Sequence, residues 1–259
     1  MEFIDIHSHY AWDIDDGIND LDEALEALKA AKKQNIGKIV ATPHLTPGTT
    51  TALEFAQMKQ RINELQALAK QLDIEVYPGC EIMLNSDYLT ALQDQNYLTI
   101  NNGPYVLVEF NVTQRLPEDY DERIYEFSLK NKIIVAHVER YFHHHLKLDI
   151  IEQWLDYGYV IQINSSSILN SNSRSHEFAL ELLERGMVHL IANDVHRSSG
   201  IRSPNLQDTY DYLTKKYQSE DVIKLMYDNP LKIINGQKIE LVKLNKIKTS
   251  RIPWFKRRK

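Results

Sequence analysis

The chain has 259 residues, of which 43% are hydrophobic, and a net charge of −6. This length fits one barrel-sized domain, and the apolar runs are too short to cross a bilayer. The single cysteine, Cys80, excludes an internal disulfide framework and suits a reducing cytoplasm. The sequence starts directly with a strand pattern, and no basic segment with an apolar stretch precedes it. We therefore expect a cytoplasmic protein.

Charge is unevenly distributed along the chain. Residues 243–259 contain eight basic residues and no acid, so the net −6 of the whole chain leaves −14 on residues 1–242. An acidic body argues against nucleic acid as a partner. We predict one folded domain over residues 1–242 and a separate basic C-terminal tail over residues 243–259.

Short apolar strands alternate with amphipathic helices along the chain. The predicted strands are Phe3–His7, Lys38–Thr42, Glu75–Pro78, Tyr105–Phe110, Ile133–His137, Val160–Asn164 and His189–Asn193. The predicted helices include Leu21–Leu28 and Ile62–Leu72 and lie near Ser86–Leu92, Glu118–Lys130, Leu148–Tyr157, Ser175–Arg185, Asn205–Tyr217 and Glu220–Tyr227. Leu21, Leu25 and Leu28 fall on one face of the first helix. Strand–helix alternation of this kind indicates an α/β fold with a parallel sheet.

Potential metal ligands occur where these strands end. They are His7, His9, Asp16, His44, Glu81, Glu109, His137, Asp194 and His196. A (β/α) barrel builds its active site from residues at the carboxyl ends of its strands. The ligands come from at least six of the seven units, whereas an open sheet usually collects its site at one switch point. This distribution favours a closed or nearly closed barrel.

The types and spacing of these residues indicate the chemistry. At the two-residue period of a strand, His7 and His9 point the same way and can share a metal, and Asp194 and His196 repeat the spacing. A single histidine at a strand end is more often structural, but five such histidines favour a metal centre. Imidazole and carboxylate ligands without thiolate suit Mn²⁺, Fe or Zn²⁺. Nine ligands exceed the needs of one ion, so we predict two or three divalent ions.

Other candidates receive structural interpretations. The run His143–His145 is expected to be solvated, and His176 and His189 are expected to be structural. Cys80 is expected to be a small buried residue. It cannot be the nucleophile of a Cys-x5-Arg phosphatase, because position 86 is Ser86.

The complete pattern resembles the PHP superfamily of polymerase and histidinol phosphatase domains. The resemblance rests on His-x-His at 7–9, Asp-Asp-Gly at 15–17, Thr-Pro-His at 42–44, the glutamates after the third and fourth strands, His-Val-Glu-Arg at 137–140 and Asn-Asp-x-His at 193–196. It covers about residues 1–235. The pattern is most similar to the manganese-dependent tyrosine-protein phosphatases of bacterial capsule and exopolysaccharide gene clusters.

This resemblance implies a distorted, seven-stranded, TIM-like (β/α) barrel, the PHP fold, with residues 1–242 as the metallophosphatase domain. It also implies three ions, with Mn²⁺ as the expected metal. The implied ligand groups are His7, His9, Glu81 and Asp194; Glu81, Glu109 and His137; and Asp16, His44 and His196. Glu81 would bridge the first two ions.

The function implied is hydrolysis of phosphotyrosine by a metal-activated water, without a covalent enzyme intermediate. Arg140 and Arg202 are predicted to bind the phosphate oxygens during catalysis, because guanidinium groups fit them bidentately. Arg197 is predicted to assist in substrate binding. A structural salt bridge is the alternative for each arginine. Tyr10 and Trp12 either flank the phosphotyrosine ring or pack inside the domain.

The resemblance further implies a phosphotyrosine protein as partner, expected to be a membrane-bound tyrosine kinase. The basic tail, with its aromatic pair Trp254–Phe255, would then make peripheral contact with the inner face of the membrane. A solvated tail, or one that folds back on the acidic body, is the alternative. The sequence leaves a homo-oligomer open. Alternative functions are another PHP phosphoesterase such as a histidinol-phosphate phosphatase, a metal-dependent nuclease, and a non-catalytic metal-bound partner protein.

Overall fold

A computed structural model describes residues 2–94, 96–144 and 148–247 of the chain, without the side chains of residues 142–144. The interpretation of His143–His145 as a solvated run and most of the basic tail therefore lie outside the described part. None of the helices found in the described part has the length and apolar content needed to span a bilayer.

The described strands form two parallel sheets. The strands are β1 (Phe3–Asp5), β2 (Ile36–Ala41), β3 (His44–Leu45), β4 (Glu75–Pro78), β5 (Glu81–Met83), β6 (Tyr105–Glu109), β7 (Lys132–Val135), β8 (Val160–Asn164) and β9 (Leu190–Ala192). The strand orders are β1-β2-β4 and β3-β5-β6-β7-β8-β9, with every neighbouring pair parallel. The predicted α/β fold with parallel strands is confirmed.

The structure has nine strands where seven were predicted, because a short additional strand follows each of the predicted second and third strands. β2 stops before Thr42–Pro43 and β3 resumes at His44, while β4 stops before Gly79–Cys80 and β5 resumes at Glu81. The amide of Glu81 donates to the carbonyl of Pro43 at 3.0 Å, so the two breaks lie side by side. The first and last strands also meet, because Ser8 forms a parallel bridge with Val195 beyond the ends of β1 and β9.

Helices connect most of the strands. They are α1 (Leu21–Lys33), α2 (Ala52–Lys70), α3 (Tyr88–Asp94), α4 (Tyr120–Ser128), α5 (Leu148–Asp156), α6 (Ser165–Leu169), α7 (Arg174–Arg185), α8 (Leu206–Leu213), α9 (Ser219–Ile223) and α10 (Asn229–Ile234). Two 3₁₀ segments occupy Ile100–Asn102 and Val138–His144, and a π-helical turn occupies Lys224–Asp228. The sequence did not predict the short α6, which directly follows β8.

The face of α1 that carries the three leucines is buried only in part. Leu21 is 49% exposed, and the helix instead buries Leu28 with three alanines, Ala24, Ala27 and Ala31. Small side chains let the helix backbone approach β2 closely. The pattern of leucines alone therefore identified the buried face of the helix only in part.

The strands change from apolar to polar toward their carboxyl ends. Leu107 on β6 and Val160 on β8 belong to one buried apolar cluster. On the same side of β6, Glu109 lies two residues beyond Leu107. On the same side of β8, Gln162 and Asn164 lie two and four residues beyond Val160. All three polar side chains are also buried. This alternation places a polar site on top of an apolar core.

Candidate active site

All nine predicted ligands come together. Most lie at or beyond the carboxyl ends of strands, whereas His44 and Glu81 begin the short strands β3 and β5 that follow β2 and β4. Their donor atoms form four overlapping groups, within each of which all atoms lie within 4.8 Å of one another. The groups are His9, Asp16, His44 and His196; His7, His9 and Asp194; His7, Glu81 and His137; and His44, Glu81 and Glu109. Which residues share an ion stays a prediction, although the implied third group recurs here with His9 added.

Glu81 occupies the middle of the cluster. Its Oε2 lies 3.2 Å from Nε2 of His7, 3.3 Å from Nε2 of His9 and 3.1 Å from Nδ1 of His44. Its Oε1 accepts a hydrogen bond from Nε2 of His137 at 3.0 Å. A carboxylate with neighbours on both oxygens is suited to bridge two ions.

Several of the buried donor atoms have no hydrogen-bond partner among the described residues. These atoms include Nδ1 of His44, Oε2 of Glu81, Oε1 of Glu109 and Nε2 of His196. His44 Nδ1 and Glu109 Oε1 are 2.8 Å apart, yet their geometry does not make a hydrogen bond. Buried polar atoms are almost always bonded, so atoms aimed at a common point need another partner. Divalent cations fit this set of oxygen and nitrogen atoms.

The carboxylates make the centre strongly attractive to positive charge. Burial lowers the pKa of His44, but Glu81, Asp16 and Glu109 outweigh it and raise that pKa to about 12. In the same way, burial lowers the pKa of His9, and Asp15 reverses the effect and raises it to about 9. Metal binding releases protons from such ligands. The carboxylates that stabilise a proton on a neighbouring histidine also stabilise a metal cation that takes its place.

The backbone is unusual at two ligands and close-packed beside a third. His137 and Asp194 have positive φ angles of 32° and 57°, a conformation that concentrates at functional sites. Gly17 is needed for close approach. A Cβ atom at this position would lie 2.4 Å from Cβ of His9 and 2.8 Å from Oδ1 of Asp15. Any side chain at position 17 would displace the ligand His9.

A buried polar chain orients several ligands, and the sequence analysis missed it. Gln162 Oε1 accepts hydrogen bonds from Nδ1 of His7 (3.1 Å) and from the backbone amide of His137 (2.8 Å). Gln162 Nε2 donates to Asn164, and Asn164 Nδ2 donates to Oδ2 of Asp194 at 2.9 Å. With Nδ1 as the donor, His7 presents Nε2 to the centre. The available signal was the alternation of two amides inside an otherwise apolar strand.

Asp15 is a second supporting residue that the sequence analysis did not single out. Its Oδ2 lies 2.7 Å from Nδ1 of His9 and accepts a hydrogen bond from the backbone amide of His44 at 2.9 Å. Its Oδ1 accepts a hydrogen bond from the backbone amide of Gly17. Burial raises the pKa of Asp15, but the contact with His9 outweighs it and lowers the pKa to about 2. Asp15 therefore stays ionised and turns Nε2 of His9 toward the centre.

We expect Asp15→Asn to weaken metal binding by roughly 10- to 100-fold, the usual cost of removing a group that orients a ligand. The variant removes the negative charge that holds His9, and metal titration of the purified protein measures the change. Asp13→Asn is the matched control, because the Asp13 side chain lies in the same loop and is 78% exposed. Equal metal affinity in Asp15→Asn and the unmodified protein would contradict the assignment.

Two of the predicted arginines lie beside the cluster. Nη1 of Arg140 donates to Oδ2 of Asp194 at 3.0 Å, and Nη2 of Arg202 donates to Oδ1 of the same carboxylate at 2.8 Å. Their side chains are 28% and 33% exposed, so both guanidinium groups border the centre and remain accessible to a ligand. Burial lowers the pKa of Arg140, but Asp194 outweighs it and raises the pKa above its usual value.

Arg197 has different partners. Its Nη1 donates to the backbone carbonyls of Asp16 (2.9 Å), Gly17 (2.5 Å) and His196 (2.5 Å). These bonds connect the loop that carries Asp16 to the turn that carries His196. The role of Arg197 in substrate binding stays a prediction.

Two aromatic residues, the cysteine and two further histidines have packing roles in the structure. Tyr10 is fully buried and Trp12 is 7% exposed, so neither can flank a substrate ring, and the packing alternative is confirmed. Cys80 is a buried free cysteine, as predicted. His189 is buried, and its Nδ1 accepts a hydrogen bond from the backbone amide of Ile161. His176 is half-buried, and its Nδ1 forms a hydrogen bond with the carbonyl of Ser167. Both histidines are structural.

Comparison with known proteins gives a consistent family assignment. The family described as "Capsular polysaccharide synthesis, CpsB/CapC" matches residues 3–235. The chain is 30% identical over 244 residues to the tyrosine-protein phosphatase CpsB of Streptococcus pneumoniae, covering 91% of this chain and 100% of that protein. It is 28% identical over 221 residues to the tyrosine-protein phosphatase YwqE of Bacillus subtilis, covering 84% and 86% of the two chains.

Solved structures resemble the chain as well. A structure from work on YwqE of Bacillus subtilis and CpsB of Streptococcus pneumoniae, described as unique metal-dependent tyrosine phosphatases, aligns with a TM-score of 0.82 at 26% identity, covering 95% of this chain and 100% of that one. The histidinol phosphate phosphatase of Lactococcus lactis aligns with a TM-score of 0.54 at 17% identity, covering 83% and 93%. The second likeness shows a shared fold alone.

Proposed function

Because the chain belongs to the CpsB/CapC family of capsular polysaccharide synthesis, we propose that it is a metal-dependent protein-tyrosine phosphatase that acts in capsule or exopolysaccharide synthesis. It hydrolyses the phosphate monoester of phosphotyrosine. The observation that carries the proposal is the convergence of nine imidazole and carboxylate ligands at the strand ends, with two guanidinium groups at the edge of the cluster.

We further propose that the centre holds two or three divalent ions, with Mn²⁺ as the native metal and Fe or Zn²⁺ as the alternatives. The four overlapping ligand groups and the central place of Glu81 support more than one ion. When bound, such ions neutralise the phosphoryl oxygens as Lewis acids and lower the pKa of the attacking water.

The residues of the chain itself orient the substrate. Arg140 and Arg202 donate hydrogen bonds to different oxygens of the Asp194 carboxylate. The remaining N–H groups of both arginines can bind a phosphate placed beside that carboxylate. Asn164 holds Asp194 in place while the guanidinium groups bind phosphate. A phenol has a pKa of about 10, so a tyrosinate leaves more readily than an alkoxide and needs less help from a general acid.

A substrate screen tests this function. Mn²⁺-loaded protein is assayed with a phosphotyrosine peptide, a phosphoserine peptide and histidinol phosphate, with and without excess chelator. We expect phosphotyrosine to be hydrolysed fastest, chelator to abolish turnover, and thiol alkylation to leave it unchanged because Cys80 is buried. A preference for histidinol phosphate would instead support another PHP phosphoesterase. No turnover of any ester would support a non-catalytic metal protein.

The partner we propose is a membrane-bound tyrosine kinase, and the basic tail would keep the phosphatase beside it. The first tail residues bond to the domain, since the amide of Ile247 donates to the carbonyl of Lys216 at 3.0 Å and Lys246 pairs with Tyr217. Residues 248–259 lie outside the described part and contain six basic residues with Trp254–Phe255. Each basic residue near an anionic leaflet contributes about 1 kcal/mol.

We expect a chain that ends at Ile247 to bind vesicles with anionic lipid more weakly than the full chain, and the binding of the full chain to fall with salt. Co-sedimentation with vesicles measures both, and vesicles of neutral lipid are the control. Turnover of a small aryl phosphate should be the same for the two proteins. If the full chain ignores anionic vesicles at low salt, the membrane contact is wrong.

A further inference from the structure

A pocket of about 180 Å³ adjoins the candidate metal centre on the side of the arginines. Arg140, Asp194 and Arg202 form its inner wall. Its outer wall consists of serines and asparagines from the end of β8, from α6, from the start of α7 and from the loop between the two helices, and exposed Ile201 lies at the rim. We call this space the serine pocket. Because Asp194 lines it, a substrate that reaches the centre can extend into the pocket without leaving the protein surface.

The wall of the serine pocket is held rigidly from behind. Glu139 is fully buried, and its Oε1 accepts hydrogen bonds from the backbone amide of Asn164 (3.0 Å) and the hydroxyl of Ser167 (2.7 Å). The hydroxyl of Ser165 donates to Oδ1 of buried Asn193 at 2.9 Å. These bonds fix α6 against the strands, so the pocket is formed before a ligand binds. A pre-formed wall reduces the entropy cost of binding.

The outer wall offers neutral hydrogen-bonding groups. Beyond Arg140, Asp194 and Arg202, all lining side chains are serine, asparagine or isoleucine. The hydroxyls of Ser166 and Ser175 have no hydrogen-bond partner within the described part of the chain. A hydroxyl both donates and accepts, and an amide side chain does the same with separate atoms. Such a surface matches the N–H and C=O groups of a peptide main chain.

The space on the other side of the centre has the opposite character. A pocket of about 390 Å³ beside His44 is lined by the carboxylates of Asp13, Asp15 and Glu54. We call it the acidic pocket. A phosphorylated peptide carries close to two negative charges on its phosphate, and nearby carboxylates repel it. The acidic pocket, although larger, is therefore the less favourable binding site for the peptide.

We propose that the serine pocket is the subsite for the peptide segment next to phosphotyrosine, and that it binds the main chain and a small uncharged side chain. The phosphate lies at Arg140 and Arg202, and Ile201, which is 70% exposed, contacts the tyrosine ring at the rim. This assignment gives the ring an apolar contact that buried Tyr10 and Trp12 cannot supply. The proposal rests on the proposed phosphotyrosine activity.

The test compares two substrates in one protein preparation. One is a pentapeptide with a central phosphotyrosine and four uncharged residues around it. The other is p-nitrophenyl phosphate, which has no peptide. For the double variant Asn170→Ala, Ser175→Ala, we expect the ratio of kcat/KM for peptide over p-nitrophenyl phosphate to fall roughly tenfold or more. Each lost hydrogen bond is worth roughly a factor of five, and the change should be in KM for the peptide.

Thr49→Ala is the matched control, because Thr49 is an exposed hydroxyl residue that lines the acidic pocket. Its substrate ratio should equal that of the unmodified protein. Metal content and thermal stability are measured for every variant. If the double variant is unstable, Ser175→Ala alone carries the test with an expected fall of roughly fivefold, because its hydroxyl has no partner to lose within the described residues.

Two results would overturn the subsite. One is an unchanged ratio in a stable variant of the serine pocket, and the other is a fall in the ratio for Thr49→Ala alone, which would place the peptide in the acidic pocket. Failure of the proposed function looks different and needs no variant. In that case the unmodified, metal-loaded protein hydrolyses p-nitrophenyl phosphate but not the phosphotyrosine peptide, which rejects the activity and the subsite together.

Discussion

His7→Ala, His44→Ala and Asp194→Asn are each expected to lower kcat for aryl phosphate hydrolysis by roughly 10²-fold or more, the loss found when preorganised charge stabilisation is removed. The three residues occupy different parts of the centre. His7 and His44 both contact Oε2 of Glu81, but His7 also lies near Asp194, whereas His44 also lies 3.3 Å from Asp16. Asp194 also holds both guanidinium groups, so its loss disturbs the ligand cluster and the phosphate site at once.

Steady-state kinetics with saturating Mn²⁺ and metal analysis of each purified variant measure this result. Asp22→Asn is a control for charge removal, because Asp22 is exposed in the first turn of α1. Removal of metal from the unmodified protein should reproduce the loss, and added Mn²⁺ should restore activity. Full activity in excess chelator, after metal analysis has established that the ions are gone, would reject the metal mechanism for this chain.

The position of the ligands was predictable because it depends on a simple property of parallel sheets. Carboxyl ends of parallel strands face the same way, so His44, Glu81 and Glu109, each at or just after the end of a predicted strand, were expected to meet at one edge. The strand boundaries were less predictable. His7 and Asp194 lie beyond the ends of β1 and β9, and the positive φ of Asp194 departs from a strand conformation. Their convergence depends on the Ser8–Val195 bridge, a contact between distant parts of the chain.

The residues that the sequence analysis missed act through such distant contacts. Gln162 reaches His7 across 155 positions, and nothing near either residue in the sequence reveals the pair. Asp15 was overlooked for another reason. Two adjacent aspartates offer the same chemistry, and only the fold decides that Asp15 turns inward to His9 while Asp16 stays 65% exposed beside His196. Local patterns thus identify candidate donors, whereas tertiary structure separates ligands from the residues that orient them.

Arg140→Ala is expected to cost about 2–4 kcal/mol in kcat/KM for a phosphotyrosine peptide while leaving the metal content unchanged. Arg140 is not among the residues whose atoms form the ligand groups, so the ions should stay bound. It supplies a charged donor 3.0 Å from Oδ2 of Asp194, at the border of the centre. Arg140→Lys keeps the charge but loses the planar fork, and it should recover only part of the loss.

A double-mutant cycle with Arg202 tests whether the two arginines act together. Both guanidinium groups bind Asp194, so the losses in Arg140→Ala, Arg202→Ala and the double variant should not add, and the cycle measures their coupling. Arg185→Ala is the matched control, because its exposed side chain pairs only with Glu181 among the described residues. Loss of metal in Arg140→Ala would mean that the arginine supports Asp194 as a ligand. Unchanged kcat/KM with full metal content would leave Arg140 as a structural partner of Asp194 and assign phosphate binding to Arg202.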